Sequence, residues 1–335
     1  MSVGARFISV EIRIAVHPFT YHRALSRDDA AAQLAHDGSA PMGGGTDLLV
    51  AIEEGVTSPA RVVDLRSVRG ADEIAVGPDG SLRIGSSAHV HDVARHPAVR
   101  GRWAALAQAC ESVGTPALRH MGTMGGNLCQ RPRCWYFRRG VSCFKSGGDA
   151  CPAVDGENQY LAIVNGGPCH AVHPSDPAVA LAALEATIEI TGAAVTRSVP
   201  IGQFFVAPGG PLDRETVVEA GEFVSAIVLS TESAGGVQHY HKLMQREAWD
   251  FALVSIAAVR RESGAVRMAM GGVASAPWRV NSSVEEDVAS GGLDDDSIAS
   301  LAERALYDVT PLSKNGYKVE LAGALLRQAM RELGT

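Results

Sequence analysis

The sequence has no uninterrupted apolar run near the length of a membrane-spanning helix, roughly 18 residues or more. Basic residues are the minority. The 30 Lys and Arg stand against 37 Asp and Glu, a net charge of −7, so there is no electrostatic footprint for nucleic acid. No secretory signal stands out. The opening "MSVGARFISVEIRIAV" is broken by Glu11 and Arg13 and has no small-residue cleavage site. Residues 1–16 are therefore predicted to be an N-terminal extension or edge strand, and the expected compartment is the cytoplasm, with export in a folded complex through a partner's signal left open. The G-x-G-x-x-G fingerprint is missing, which excludes a nicotinamide-binding Rossmann turn. A second zinc-type C-x2-4-C pair is missing: Cys129 and Cys134 fit C-x4-C, but Cys143 and Cys151 are far apart. The plant-type C-x4-C-x2-C run fails because position 137 is Phe.

What remains is an ordinary soluble composition, 46% hydrophobic and 20% charged, long enough at 335 residues for two or three compact units. The first half alternates helix and strand signals. "SRDDAAAQLAHDG" opens on Ser26 with Asp29 three places on, a capping pattern. "ARVVDL" reads as a buried strand and "EIAVGPDGSLRIGSSA" as a hairpin turning at Asp79-Gly80. "HVHDVARHPAV" and "GRWAALAQACESVG" read as helices. Beyond them "QYLAIV", "EFVSAIVL", "FALVSIAAVRR" and "AVRMAMGGVA" read as strands. "DPAVALAALEA" and two C-terminal segments, "DSIASLAERALYDV" and "YKVELAGALLRQAMREL", read as helices. The small, polar stretch Ser230 to Gly236 is the best boundary, so an α/β (α+β) body is expected ahead of a smaller β-then-α unit.

Two glycine-rich loops carry the strongest chemistry. "APMGGGTDLL" places Gly43, Gly44, Gly45 and Thr46 between apolar stretches, and "RHMGTMGGNLCQ" repeats the theme with Thr123, Gly125, Gly126 and Asn127. Glycine lets backbone approach a ligand closely, and successive N–H groups can cradle a diphosphate. A tight turn without a ligand is the plain alternative for either loop alone. In "HPSDPAVAL", Ser175 or Asp176 can cap a helix. Lys242 sits in an alternating segment and reads by default as a strand-face lysine in solvent. His89, His91, His96, His120, His170, His173, His239 and His241 are scattered and read as structural or solvated.

"CQRPRCWYFRRGVSCFKSGGDAC" holds Cys129, Cys134, Cys143 and Cys151, four of the six cysteines. In a reducing compartment such clustering points to metal before disulfide. A [4Fe–4S] cluster tolerates the irregular spacing, and Arg131, Arg133, Arg138, Arg139 and Lys145 can offset its negative charge. Zinc and unmetallated thiols stay open. Cys110, inside a helix, reads as a small buried residue.

In their order, "GGGTDLL", "TMGGN", "HPSD" and "YHKLMQREAWDFALVS" resemble the FAD-binding subunit of molybdenum hydroxylases, the xanthine dehydrogenase, aldehyde oxidoreductase and carbon monoxide dehydrogenase flavoprotein family. "RCWYFR" with the cysteines and "CPAVDGENQY" is similar to the branch with an inserted [4Fe–4S] loop. The resemblance implies a vanillyl-alcohol-oxidase-like (PCMH-type) FAD domain of two α/β subdomains over 17–232, with the insertion at about 129–169. A small antiparallel sheet with helices follows over 236–335. It implies FAD contacts from Pro41, Met42, Gly43, Gly44, Gly45, Thr46, Asp47 and Leu48, and from Thr123, Met124, Gly125, Gly126 and Asn127. Asp176 and Lys242 are expected near the flavin, and Val224 against its ring system. Val113 stands where some relatives carry an aromatic. The cluster ligands it implies are Cys134, Cys143, Cys151 and Cys169, with Cys129 packing under the flavin loop instead. It also implies two partners, a small [2Fe–2S] subunit and a large molybdenum-cofactor subunit, in a heterotrimer. This chain is then the electron-transfer oxidoreductase subunit, with no catalytic acid–base pair of its own. The competing readings are a stand-alone FAD oxidoreductase and a non-enzymatic metal-binding sensor.

Overall fold

Ser26 starts the first helix as its sequence predicts: its Oγ accepts the Asp29 N–H at 3.1 Å, opening helix Arg27–Leu34. The computed structural model describes residues 16–164, 167–206 and 214–334. The predicted extension over 1–16 therefore falls outside the described residues except for Val16.

Three sheets organise these residues. The first is parallel, with β1 (Thr20–Arg23), β2 (Ser39–Met42) and β3 (Arg61–Asp64) in the order β1-β3-β2. Helices Arg27–Leu34 and Leu48–Glu53 make its crossovers. The second is antiparallel: β4 (Ile74–Val76), β5 (Leu82–Gly85), β6 (Thr187–Thr191), β7 (Thr196–Pro200) and β8 (Phe223–Leu229), in the order β4-β5-β8-β6-β7. The Asp79-Gly80 hairpin joins β4 to β5, with Gly80 at φ 79°. The third holds β9 (Val237–Leu243), β10 (Val254–Arg260), β11 (Val266–Gly271) and β12 (Trp278–Arg279), with β9 at one edge. The architecture is thus two α/β subdomains followed by a small antiparallel sheet with helices.

One core runs beneath the second sheet, through Leu82, Trp103, Leu106, Leu181 and Ile188, and reaches Tyr240, Ala257 and Ala269 of the third. Helix Asp176–Ala183 joins the two because all eight of its residues are buried. A second core packs the C-terminal helix Tyr317–Gly334 on β9 and β10 and takes in Ile256, Met268, Leu326 and Met330.

Two sequence expectations are corrected. "HVHDVARHPAV" forms two short helices, Val90–Arg95 and Pro97–Arg102, because Pro97 drives His96 to extended backbone. "QYLAIV" joins no ladder, although Leu161, Ala162 and Ile163 are buried; Val164 makes a single isolated bridge to Val309. Side chains take its carbonyls instead. Asn315 Nδ2 donates to Leu161 and Ala162, and Lys318 Nζ to Tyr160 and Leu161. Among the described residues, no helix is long and apolar enough to cross a membrane.

Candidate functional site

The two glycine loops meet. A Cβ built on Gly43 would lie 2.1 Å from Thr123 Oγ1, and one on Gly44 would lie 1.6 Å from the Met121 carbonyl. Contact between the loops is therefore what requires glycine at both positions. Positive φ is confined to the third, Gly45, at 74°. Together the loops wall a cleft of about 480 Å³, lined by Pro41, Gly43 to Leu48, Val113, Thr123, Gly126 and Asn127. The backbone N–H groups of Gly43, Gly44, Gly45, Thr46 and Asp47 donate to no acceptor of the chain among the described residues. Unsatisfied donors at a cleft wall, on backbone that a side chain would fill, fit a bound diphosphate. Met42 and Met124 do not line it. Met42 packs with Ile52 and Val62, and Met124 is fully buried with its sulfur 3.9 Å from Cys110 Sγ.

At one end the cleft adjoins a chamber of about 330 Å³, and Asp176 and Arg246 line both. Here the structure brings together two residues predicted separately. Lys242 Nζ donates to Asp176 Oδ2 at 2.8 Å and to the Ser112 carbonyl at 3.1 Å. Tyr240 donates its hydroxyl to Asp176 Oδ1 at 2.7 Å. The side chains of Lys242 and Asp176 are 4% and 6% exposed, so the solvent-facing reading of Lys242 is corrected. Burial pushes the Asp176 carboxyl up, against the opposing pull of Lys242 and Tyr240. Burial and the Asp176 charge hold the Tyr240 phenol well above its ordinary value. Tyr240 escaped the sequence reading, although its place two residues before Lys242 puts both on one face of β9. Ser175 caps helix Asp176–Ala183 by accepting from the Ala178 N–H, and its hydroxyl donates to Asn127 Oδ1 at 2.5 Å.

A further chamber of about 180 Å³ shares Gly43, Thr123 and Gly126 with the cleft and adds Ser86, Thr216 and Val224.

Cys134, Cys143, Cys151 and Cys169 line one small cavity, closed by Tyr136, Phe137, Lys145 and Leu161. Cys129 is not among them; it lines the cleft and the Val224 chamber, and burial pushes its thiol up to about 12. All six cysteines are free. No three thiols lie within 4.8 Å of one another among the described residues. A tetrahedral zinc site, with Zn–S bonds of about 2.3 Å, would hold its sulfurs about 3.8 Å apart. The four sulfurs are therefore not preset at tetrahedral zinc spacing. Backbone N–H groups of Phe137 and Tyr136 point to the Cys134 sulfur, that of Ala171 to Cys169 and that of Ser146 to Cys143. Burial raises the Cys134 and Cys169 thiols, and these donors pull the other way. Such donors stabilise thiolate ligands.

Most cations of the insertion serve a different partner from the one expected. Arg138 bonds Asp47 at 2.8 Å and Glu54 at 3.0 Å, Arg133 bonds Asp47 at 2.9 Å, and Arg131 bonds Glu215 at 2.6 Å. Only Lys145 borders the thiol cavity, and it bonds Glu215 at 2.7 Å. The Asp47 carboxylate is therefore committed to the insertion, although the residue also lines the cleft.

The geometry has matches among known proteins. "FAD binding domain in molybdopterin dehydrogenase" matches residues 17–230, and "CO dehydrogenase flavoprotein C-terminal domain" matches 238–333. The aldehyde oxidoreductase FAD-binding subunit PaoB of Escherichia coli is 34% identical over 94% of this chain and 98% of its own. The glyceraldehyde dehydrogenase medium chain of Sulfolobus acidocaldarius is 26% identical over the same shares. A solved carbon monoxide dehydrogenase from Hydrogenophaga pseudoflava shares the fold, with a TM-score of 0.73 at 22% identity over 94% of this chain and 96% of that one. The chain belongs to the FAD-binding flavoprotein family of the molybdopterin dehydrogenases, and is an oxidoreductase subunit of that family.

Proposed function

We propose that this chain is the FAD- and [4Fe–4S]-carrying electron-transfer subunit of a molybdenum-dependent dehydrogenase of the aldehyde or xanthine dehydrogenase type. Substrate is oxidised on a large molybdenum-cofactor subunit. Electrons arrive from [2Fe–2S] centres on a small subunit and leave from this chain to an acceptor. The observation that carries the reading is a shared wall. Cys134 and Leu161 line both the four-thiol cavity and the chamber that Asp176 joins to the glycine-loop cleft. When bound, FAD exchanges electrons singly or in pairs and the cluster singly, so each supplies redox chemistry that no side chain here has.

The chain's own residues do the placing. The N–H groups of Gly43 to Asp47 hold the diphosphate, and Gly126 and Asn127 border the ribityl chain. Val113 borders the cleft on the flavin side. The Lys242–Asp176–Tyr240 group, buried and mutually satisfied, fixes the floor at the flavin end. Val224 lines the chamber that Gly43, Thr123 and Gly126 share with the cleft, and there it packs against the flavin ring system. Cys134, Cys143, Cys151 and Cys169 hold the cluster. The FAD-binding unit spans 17–232 with its insertion at 129–169, and the C-terminal unit spans 236–335. Asp176 is tied to Lys242 and Asp47 to Arg133 and Arg138, so neither carboxylate is free as a base for substrate.

Purification from the native host is expected to bring both partners along, and acid precipitation to release the flavin. With iron counted per FAD, Cys169→Ser loses the cluster and Cys129→Ser keeps it. The reverse result overturns the ligand set, and zinc in place of iron overturns the cluster. Full-rate oxidation of aldehydes or purines by the isolated chain overturns the subunit reading.

A further inference from the structure

His239 and His241, set aside in the sequence as scattered, share a face of the edge strand β9 and meet Glu332 of the C-terminal helix. His241 Nε2 lies 2.5 Å from Glu332 Oε2, and His239 Nδ1 lies 3.8 Å from the same oxygen. One ligand atom from each of the three falls within 4.8 Å of the others. The imidazoles stack with centroids 6.0 Å apart and planes 10° off parallel. Gln328, one helical turn before Glu332, donates to its other oxygen at 3.0 Å and so orients it. Partial burial raises the Glu332 carboxyl, but the Gln328 and His241 hydrogen bonds and the two imidazoles outweigh this and keep it below its ordinary value. The three side chains are 28–33% exposed, open enough for an ion and its water to enter.

Two imidazoles and a carboxylate are the donor set of borderline divalent metals, with a remaining position for water. The geometry points to a zinc-class divalent metal site formed by His239, His241 and Glu332, separate from the flavin cleft and the thiol cavity. The ion replaces the His241–Glu332 hydrogen bond with two bonds to metal, and a third comes from His239. It staples the C-terminal helix to the edge strand whose opposite face carries Tyr240 and Lys242 against Asp176. An oriented carboxylate, held by Gln328, is the kind of outer support that tunes such a site.

The test uses the full chain with its native cofactors, freed of loosely bound metal by EDTA and desalting. Co²⁺ is the first probe, because imidazole and carboxylate ligands give weak visible bands, whereas thiolates give intense near-ultraviolet charge transfer. The wild type is expected to take up Co²⁺ without thiolate bands, and Zn²⁺ is expected to displace it. His239→Ala and His241→Ala should each weaken Zn²⁺ binding at least tenfold while leaving flavin content unchanged, and Glu332→Gln should weaken it too. Zn²⁺ should also raise the melting temperature of the wild type but not of His239→Ala. Equal Zn²⁺ affinity in the wild type and both histidine variants, or a cobalt spectrum dominated by thiolate bands that those variants leave unchanged, would overturn the site.

Discussion

Arg138 Nη2 donates to Asp47 Oδ1 at 2.8 Å and so fastens the thiol-bearing insertion to the glycine-rich loop of the flavin cleft. The Arg138 side chain is only 8% exposed, and its guanidinium also donates to Glu54 and to the carbonyls of Pro132 and Arg131. One side chain thus ties two proposed cofactor sites together.

Replacing it should loosen both sites. Arg138→Met keeps the stem packing but removes every one of these donors. Breaking a buried pair costs about 3–5 kcal/mol. Here Asp47 retains Arg133 and the Arg131 N–H, so the expected loss is roughly 2 kcal/mol. Iron per chain should fall further than FAD per chain, because the insertion loses its anchor while the loop N–H groups remain. Metal analysis beside flavin absorbance checks this; iron retained in full would contradict it.

Gly44 makes a sharper test of the loop contact. Even Gly44→Ala places a Cβ 1.6 Å from the Met121 carbonyl, where backbone must move. An overpacked contact of this kind costs about 3 kcal/mol, which is roughly 100-fold in affinity if it falls on the bound loop geometry. The variant should purify colourless. Gly101→Ala, whose Cβ would meet nothing within 4 Å, should keep its FAD. Equal flavin retention by both would show that the loops need not touch.

The sequence was informative where the signal is local and obscure where it depends on distant partners. The Ser26 cap, the Asp79-Gly80 hairpin and the two glycine loops were legible because each rests on a few neighbouring residues. The run at Tyr160 to Val164 reads as a strand because it is apolar, and Leu161 to Ile163 are buried. Its true partners, Asn315 and Lys318, lie over 150 residues away and bond it through side chains, which leave no periodic trace. Lys242 looked solvated because strand alternation cannot reveal Asp176, 66 residues earlier. Asp47 was expected to serve a cofactor, and nothing local reports that its carboxylate is taken by Arg138, 91 residues on. Cys169 entered through family resemblance rather than spacing, and it lines the same cavity as the three insertion cysteines.

The Lys242–Asp176 pair yields a double-mutant prediction. Lys242→Met strands a buried carboxylate with Tyr240 as its remaining side-chain donor, at an expected cost of about 3–5 kcal/mol. Adding Asp176→Asn removes the stranded charge and should restore a sizeable part of that loss. Denaturant unfolding of the wild type, both single variants and the double variant at pH 7 measures the coupling. Additive losses would mean that the two residues do not act as a pair.

His173 sets an acid limit on stability. It is 4% exposed, its Nδ1 accepts from the Ser175 N–H at 3.4 Å, and its Nε2 is buried without a partner. Burial, with the cations Arg133 and Lys145 nearby, pushes its pKa down from 6.5 to about 3. The fold therefore holds the neutral ring, while the unfolded chain binds a proton below pH 6.5. Stability from this residue is fully present above pH 6.5 and is lost as the pH falls toward 3, by up to roughly 1.4 kcal/mol per pH unit. His173→Gln keeps an acceptor for Ser175 but cannot titrate. Its unfolding free energy should fall less steeply than the wild type's between pH 6.5 and 4.5, with the two curves separating progressively as acid is added. Urea titrations at several pH values compare the slopes. Other acid-labile groups are common to both proteins and cancel in the difference, so parallel curves would rule His173 out as the source.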